Sequence, residues 1–217
     1  MTKKPIALED RAHDSGRLFS PSAARNREVV RDVLVPRMQK SGDVVEVGAG
    51  TGEHAVCFAA ALPDARWRPG DPNPESRASI AAWTAHEGLS NIAPPHAIDV
   101  RATDWPDVEP GSLAGLVSMN MIHIAPFEAA AGLVSGAGRY LATDGVLFLY
   151  GPFARNGAHT APSNADFDRS LKLRDPSWGV RDLEKEILPL CDAVGLALEE
   201  IVEMPANNLS VIFRKRA

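Results

Sequence analysis

The hydrophobic pattern of the 217-residue chain alternates between two periods. Short apolar runs at 43–47, 115–119 and 146–150 are typical of buried strands, and weaker ones occur at 66–70 and 96–100. Segments with helical spacing at 53–62, 74–88 and 126–141 lie between them. Strands that alternate with helices predict an α/β fold, with a mainly parallel sheet and helices on both faces.

The two ends of the chain extend this pattern. A helix is predicted from residue 22 to about 38, kinked or shortened by Pro36, within an N-terminal helical cap of residues 1–40. Near the C-terminus, a helix at 182–194 precedes strands at 197–203 and 209–213, which predict an antiparallel hairpin. The sequence therefore predicts one Rossmann-like, seven-stranded sheet in a single domain spanning 1–217.

Residues 151–181 interrupt the alternation. They are rich in Gly, Asn, Pro and Asp and show no sustained period. Connections in α/β domains are usually only a few residues long. We therefore predict an insertion that lines a substrate pocket.

A glycine cluster, Gly48-Ala-Gly-Thr-Gly52, directly follows the first buried strand and opens a helix. Glycines there let the backbone turn tightly and let a ligand approach closely. A dinucleotide fingerprint would need a glycine at Glu53, whereas this spacing, preceded by Glu46, resembles the first motif of class I methyltransferases. That motif holds the amino-acid part of S-adenosylmethionine. Glu53 also places a negative charge that disfavours a phosphate.

Two aspartates follow the next predicted strands. Asp71 lies 19 residues after Gly52, where a carboxylate can accept both ribose hydroxyls. The alternative is an N-cap for the helix that begins near Pro74. Asp99 and Val100 are placed to contact adenine, and a surface-turn aspartate is the alternative there.

Polar residues also follow the strand at 115–119. Asn120 and Met121 are predicted to line the methionine part or the methyl group of the cofactor. His123 is a candidate general base, because imidazole accepts a proton near neutral pH. A structural hydrogen-bonding role for His123 is the alternative.

Several segments together resemble one family. They are Phe19-Ser-Pro-Ser-Ala-Ala-Arg-Asn26, Val45-Glu-Val-Gly-Ala-Gly-Thr-Gly-Glu-His-Ala55, Asn120-Met-Ile-His-Ile124, Tyr150-Gly-Pro-Phe153, Ser163-Asn-Ala-Asp-Phe-Asp168, Asp175-Pro-Ser-Trp-Gly-Val-Arg-Asp182 and Met204-Pro-Ala-Asn-Asn208. The chain resembles the proteins grouped as domain of unknown function 938, the methyltransferase-like 26 proteins. The resemblance implies a class I methyltransferase fold that binds S-adenosylmethionine and releases S-adenosylhomocysteine. It implies no substrate.

The resulting candidate site has three parts. The cofactor residues are Glu46, Gly48, Ala49, Gly50, Gly52, His54, Asp71, Asp99, Val100, Asn120 and Met121. The substrate residues are Arg25, Asn26, Tyr150, Phe153, Asn164, Phe167 and Trp178, and Arg181 is a further polar candidate. The catalytic candidates are His123 and Asp168. As alternatives, the aromatic residues pack the insertion onto the sheet, and Arg25 and Asn26 lie on an exposed helix face.

Composition narrows the partners. The net charge of −5 and the scattered basic residues argue against nucleic acid, so we expect a small-molecule acceptor. Two distant cysteines indicate neither a disulfide scaffold nor a metal site. No apolar stretch approaches the roughly 20 residues of a membrane span, and the first residues lack a signal-peptide core. We expect a cytoplasmic protein, either monomeric or homodimeric.

Two other functions stay open at this point. A protein with the same fold can bind the cofactor without catalysis, as a regulatory or scaffold protein. A nucleotide-dependent oxidoreductase is disfavoured by the glycine spacing.

Overall fold

The computed structural model describes residues 12–217. Its strands are β1 (Ala12–Asp14), β2 (Arg17–Phe19), β3 (Gly42–Val47), β4 (Ala65–Gly70), β5 (Leu113–Met119), β6 (Leu141–Gly151), β7 (Ala154–Arg155), β8 (Ala158–His159), β9 (Leu196–Met204) and β10 (Asn208–Lys215). Its α-helices are α1 (Pro21–Leu34), α2 (Glu53–Ala61), α3 (Pro74–Glu87), α4 (Phe127–Tyr140), α5 (Pro162–Arg174) and α6 (Leu188–Ala193). One π-helical turn, Leu183–Ile187, leads into α6.

The main sheet has six strands in the order β4-β3-β5-β6-β10-β9. The first four strands are mutually parallel, and β10 is antiparallel to both β6 and β9. The predicted parallel sheet with an antiparallel C-terminal hairpin is therefore confirmed.

Seven strands were predicted for this sheet, and the one at 96–100 is wrong. This segment forms only an isolated bridge between Gly70 and His96, beside a second one between Trp67 and Ile92. Pro94 and Pro95 lack the N–H groups that a ladder needs. Asp99 then bends the chain by accepting the backbone N–H of Arg101 at 3.0 Å.

Helices cover both faces of the sheet. Side chains alternate along β3, so that Val45 and Val47 join the apolar cluster under α4 and α6. Val44 instead joins the cluster under α1, α2 and α3, together with Phe58 and Trp67. Each face is thus a closed core, and ligand binding is left to the strand ends.

All four parallel strands end at the same edge of the sheet. This carboxyl edge carries the glycine loop after β3, Asp71 after β4, Asn120 after β5 and Gly151 at the end of β6. Open α/β sheets bind ligands at this edge.

The segment at 151–181 is more ordered than its sequence predicts. It contains the small β7–β8 hairpin and the 13-residue helix α5. The buried residues of α5 are Asn164, Asp168 and Leu171, which have helical spacing although two of them are polar. A search for apolar periodicity misses such a helix.

The described part of the N-terminal cap starts at residue 12, so the first part of the predicted 1–40 cap lies outside the described residues. The β1–β2 hairpin rests on α3, where Leu18 N–H donates to Ser79 Oγ at 2.8 Å. Helix α1 starts at the N-cap Ser20 and ends at Leu34, before Pro36. Within residues 12–217, none of the helices combines the length and apolar character needed to cross a membrane.

Candidate cofactor and substrate site

The glycine loop has a backbone that only glycine adopts without strain. Gly48, Gly50 and Gly52 have φ values of 67°, 57° and 93°. A Cβ at Gly48 would lie 2.8 Å from Met121 Cγ, and one at Gly52 would lie 2.9 Å from the Cα of Ile80. The N–H of Ala49 donates to Gly70 O at 3.1 Å, which fastens the loop to the end of β4. The result is a cradle of bare main chain.

Asp71 is turned towards this loop. Its Oδ2 accepts the Gly50 N–H at 3.0 Å, and its Oδ1 accepts the Asn73 N–H at 2.8 Å. The N-cap of α3 is Asn73, whose side chain accepts the Glu75 N–H, so the alternative that Asp71 caps this helix is wrong. The structure brings Asp71 and the glycine loop together as the sequence spacing predicts.

Glu46 lies beneath the loop on β3 and is 1% exposed. Trp67 Nε1–H donates to its Oε2 at 2.8 Å. Burial, together with the charge of Asp71, raises the pKa of Glu46 to about 8 even though the indole bond opposes this shift. Glu46 is therefore a neutral carboxylic acid at pH 7.

Glu53, predicted to repel a phosphate, has a different task. Its Oε2 accepts the Ser20 N–H at 2.7 Å and the Thr51 hydroxyl at 3.0 Å, and Arg27 Nη1 lies 3.6 Å from its Oε1. The carboxylate joins the glycine loop to the first turn of α1, and its charge is offset by Arg27. Ser20, which the sequence analysis overlooked, has the visible signal of an N-cap serine followed by proline.

A hydrogen-bond chain links three predicted site residues. His54 Nε2 lies 2.8 Å from Asn26 Oδ1, and Asn26 Nδ2 donates to the Tyr150 hydroxyl at 3.4 Å. Burial lowers the pKa of His54 to about 4, with a further contribution from the charge of Arg27. The neutral ring donates to Asn26, so α1, α2 and β6 meet at one polar contact. Tyr150 is buried, whereas Arg25 on α1 is exposed.

Asp99 lies in a surface turn, which is the alternative to adenine contact that the sequence left open. The carboxylate of Asp99 forms two contacts with the Arg101 guanidinium, at 3.0 and 2.7 Å, and these hydrogen bonds lower its pKa. Val100 is buried, and its carbonyl packs against Gly132 of α4. The adenine contact stays a prediction.

The turn after β5 brings together residues that the sequence grouped. Asn120 has a left-handed backbone, with φ of 59°, and Met121 lies against Gly48. His123 is 1% exposed, and burial lowers its pKa to about 3, assisted by the positive charge of Arg181. A group that holds a proton this weakly is a poor general base at neutral pH. The geometry thus favours the structural alternative for His123.

Polar residues of the insertion are bonded within the protein. Asn164 Nδ2 donates to Thr160 Oγ1 and to Asn207 O, both at 2.9 Å, and so uses both amide hydrogens. Asp168 accepts Lys172 Nζ at 2.6 Å and the Val180 N–H at 2.9 Å, and His159 Nε2 lies 3.6 Å away. In this structure both side chains are held by protein partners, and the roles predicted for Asn164 in substrate binding and for Asp168 in catalysis stay predictions. Both residues anchor α5.

Two further residues of the insertion have protein partners. The Arg181 guanidinium donates to the carbonyl oxygens of Ile122, Ala125 and Ser177 at 2.6–3.0 Å, so it braces the turn after β5. Phe153 is fully buried against His123, with ring centroids 4.9 Å apart, and its role in substrate binding stays a prediction. Phe167 and Trp178 are half-buried and keep surface for a ligand.

Gly151 is a site residue that the sequence analysis missed. A Cβ at this position would lie 2.5 Å from His123 Nε2 and 3.2 Å from Asn120 Oδ1. The signal in the sequence is a glycine at the end of the central strand. Within residues 12–217, no group of three or more His, Cys, Asp or Glu side chains is arranged to hold a metal ion.

Solved structures with similar folds include several methyltransferases. An O-methyltransferase family protein from Burkholderia thailandensis aligns with a TM-score of 0.76 and 14% identity over 90% of this chain. The S-adenosylmethionine-dependent methyltransferase SibL aligns at 0.72 and 18% identity over 90% of this chain. Human N-acetylserotonin methyltransferase, solved with S-adenosylmethionine, aligns at 0.68 and 14% identity over 90% of this chain.

The chain spans 57%, 56% and 53% of the lengths of these three proteins, so the likeness concerns the domain that they share. The six-stranded sheet and its bare loop define the class I methyltransferase fold. The family model described as "Protein of unknown function (DUF938)" matches residues 17–215, and the chain belongs to that family.

Proposed function

We propose that this protein transfers a methyl group from S-adenosylmethionine to a small-molecule acceptor by in-line displacement. One observation carries the proposal. A main-chain cradle with positive φ at Gly48, Gly50 and Gly52 lies at the carboxyl edge of the sheet, and the carboxylate of Asp71 bonds to its centre at Gly50. Such a pairing fits a ligand that combines an amino acid with a ribose.

The cofactor would occupy the loop and the strand ends around it. Gly48, Ala49, Gly50 and Gly52 would face its amino-acid part, and Asp71 would exchange its bond to Gly50 for the ribose hydroxyls. Asp99 and Val100 would border the adenine, and Asn120 and Met121 the methionine part. When bound, S-adenosylmethionine supplies an electrophilic methyl group. Glu46 and His54 are placed to support the loop from behind.

The acceptor side would be formed by Asn26, Tyr150, Phe167 and Trp178. Apolar walls with a few polar groups suit a small molecule. Catalysis then comes mainly from holding acceptor and methyl group at reacting distance, which needs no general base when the acceptor already carries a free lone pair. The net charge of −5 gives no support to a nucleic-acid substrate.

A non-catalytic, cofactor-binding role is the second candidate. The observation in its favour is that both catalytic candidates, His123 and Asp168, are engaged by the protein itself. Radiolabelled S-adenosylmethionine incubated with fractions of a metabolite extract separates the two. Transfer to any fraction supports the enzyme, and tight binding without transfer supports the regulatory role.

The binding site itself is tested by calorimetry with S-adenosylhomocysteine and, as a control ligand, NADH. Asp71→Asn keeps the shape of the side chain but removes its charge, and we expect at least about tenfold weaker binding, because hydrogen bonds to charged groups contribute most. Asp64→Asn, at an exposed aspartate in the turn before β4, is the matched control and should leave binding unchanged. NADH binding, or equal small effects of both variants, would contradict the proposed site.

A further inference from the structure

The imidazole of His123 is held in one tautomer. The backbone N–H of Arg181 donates to Nδ1 at 3.2 Å. A backbone N–H can only donate, so Nδ1 carries no proton and the neutral ring carries it on Nε2. Flipping the ring would place a carbon opposite the Arg181 N–H and lose that bond. The edge-on ring of Phe153 fixes the plane.

The opposite end of this ring is a buried donor. Within the part of the chain that the structure describes, Nε2 has no hydrogen-bond partner. Burying an N–H without a partner destabilises the protein, so we expect this group to gain an acceptor in the functional state. The position of Nε2 therefore indicates where that acceptor would lie.

Asn120 Oδ1 is a candidate acceptor beside Gly151, although it is not bonded to Nε2 in this structure. The site where a residue-151 side chain would begin lies 2.5 Å from His123 Nε2 and 3.2 Å from Asn120 Oδ1. Gly151 thus leaves room for two polar atoms to approach each other on the same side of the strand. The turn that carries Asn120 also borders the cradle, since Met121 lies against Gly48.

We propose that His123 is a positioning residue: when the cofactor binds, its Nε2–H, unpaired in this structure, donates to Asn120 Oδ1 and turns the amide NH2 of Asn120 towards an oxygen of the cofactor's amino-acid part. This inference rests on the proposed function. It replaces the role of His123 as a base with that of a donor that fixes the orientation of a neighbouring amide. Asn120 then distinguishes an oxygen acceptor from a cationic group, because only its donor end faces the ligand.

Two substitutions separate the ends of the imidazole. His123→Asn retains an oxygen near Nδ1 that accepts the Arg181 N–H but lacks a donor at the ε position. His123→Gln retains an N–H near Nε2 and is the matched control. In calorimetry with S-adenosylhomocysteine, we expect His123→Asn to bind about 3- to 10-fold more weakly and His123→Gln to stay within about twofold of the wild type.

A third substitution tests whether His123 acts through Asn120. Asn120→Gly removes the amide and tolerates the left-handed backbone. In that background His123→Asn should have no further effect on affinity. Equal losses in the two His123 variants, or an undiminished loss with Gly at 120, would overturn the inference while leaving the cofactor site intact. A wild-type chain that binds no S-adenosylhomocysteine would overturn the proposed function and this inference together.

Nitrogen-15 NMR of the wild-type imidazoles gives an answer even if a variant does not fold. We expect His123 to be an Nε2–H tautomer whose proton resonance shifts when S-adenosylhomocysteine is added. An Nδ1–H tautomer, or an Nε2–H resonance that ignores the ligand although calorimetry shows binding, would overturn the proposal.

Discussion

The glycine loop and the insertion lie at the same edge of the sheet, but their polar groups are used in opposite ways. The loop turns through positive φ at Gly48, Gly50 and Gly52 and contributes main-chain groups, one of which donates to Asp71. The insertion buries Asn164 and Asp168, and each is bonded to neighbouring protein atoms. The loop thus depends on the absence of side chains, whereas the insertion depends on polar side chains that bond to the protein.

The largest loss of cofactor binding is expected when a side chain is added to the glycine loop. Gly48→Ala puts a methyl group 2.8 Å from Met121 Cγ at φ of 67°. We expect loss of S-adenosylhomocysteine binding by more than about 100-fold in calorimetry, because the clash displaces the cradle itself. Gly111→Ala is the matched control, since Gly111 has φ of 68° with open space around it. It should lower stability slightly and leave binding unchanged; a similar loss of binding would remove the distinction.

A smaller effect, on stability alone, is expected in the insertion. Asp168→Ala leaves the buried Val180 N–H without its acceptor and frees Lys172. We expect unfolding free energy to fall by about 1–3 kcal/mol in urea titrations, with cofactor affinity nearly unchanged. The control Asp166→Ala removes an exposed pair with Arg169 and should cost at most about 0.5 kcal/mol. If Asp168→Ala abolished methyl transfer at full stability, the insertion would have to be counted as catalytic.

The smallest effect is a dependence of the unfolding free energy on pH, caused by Glu46 beneath the loop. The pKa of Glu46 is about 8 in the folded chain and near 4.5 when unfolded, so between these values the folded state binds the extra proton. Stability from this group is therefore full below pH 4.5 and is lost as pH rises towards 8, by at most about 1.4 kcal/mol per unit.

Glu46→Gln mimics the neutral acid and should remove this loss. Relative to the wild type, we expect the unfolding free energy of the variant to rise by roughly 1–2 kcal/mol from pH 6.5 to pH 8, measured by urea unfolding at each pH. Glu109→Gln, on the surface, is the control and should follow the wild type. A wild type that grows more stable over this range relative to Glu46→Gln would contradict a protonated Glu46.

The sequence predicted the fold and the loop because both depend on local patterns. Apolar runs gave the strands of the sheet, and three glycines after β3 gave the cradle. The prediction of a strand at 96–100 was wrong because it relied on the apolar residues Ile98 and Val100. The preceding Pro94 and Pro95 lack the N–H groups that a strand ladder needs. Helix α5 was missed because its buried face includes an amide and a carboxylate. Hydrophobic patterns do not reveal polar residues that become buried by bonding to backbone groups elsewhere in the chain, as Asn164 and Asp168 do.

Site roles were harder to predict for a related reason. Position at a strand end brought Asp71, Asn120 and His123 to one edge, but sequence spacing does not show what each side chain contacts. The partners of Arg181 are carbonyl oxygens at residues 122, 125 and 177, which carry no sequence signal. Gly151 was missed because it matters by lacking a side chain, which leaves room for His123.

Two of the hydrogen bonds that attach α1 and its N-cap to the rest of the protein differ in the length of chain that they close. The bond from Ser20 to Glu53 spans 33 residues, and the bond from Asn26 to Tyr150 spans 124. A ribosome that adds about 5–20 residues per second delivers the first partner several seconds before the second. The shorter loop also loses less chain entropy on closing. We expect the nascent chain to fasten its leading helix to the glycine turn before the far strand emerges, an order that pulse proteolysis of stalled nascent chains would reveal.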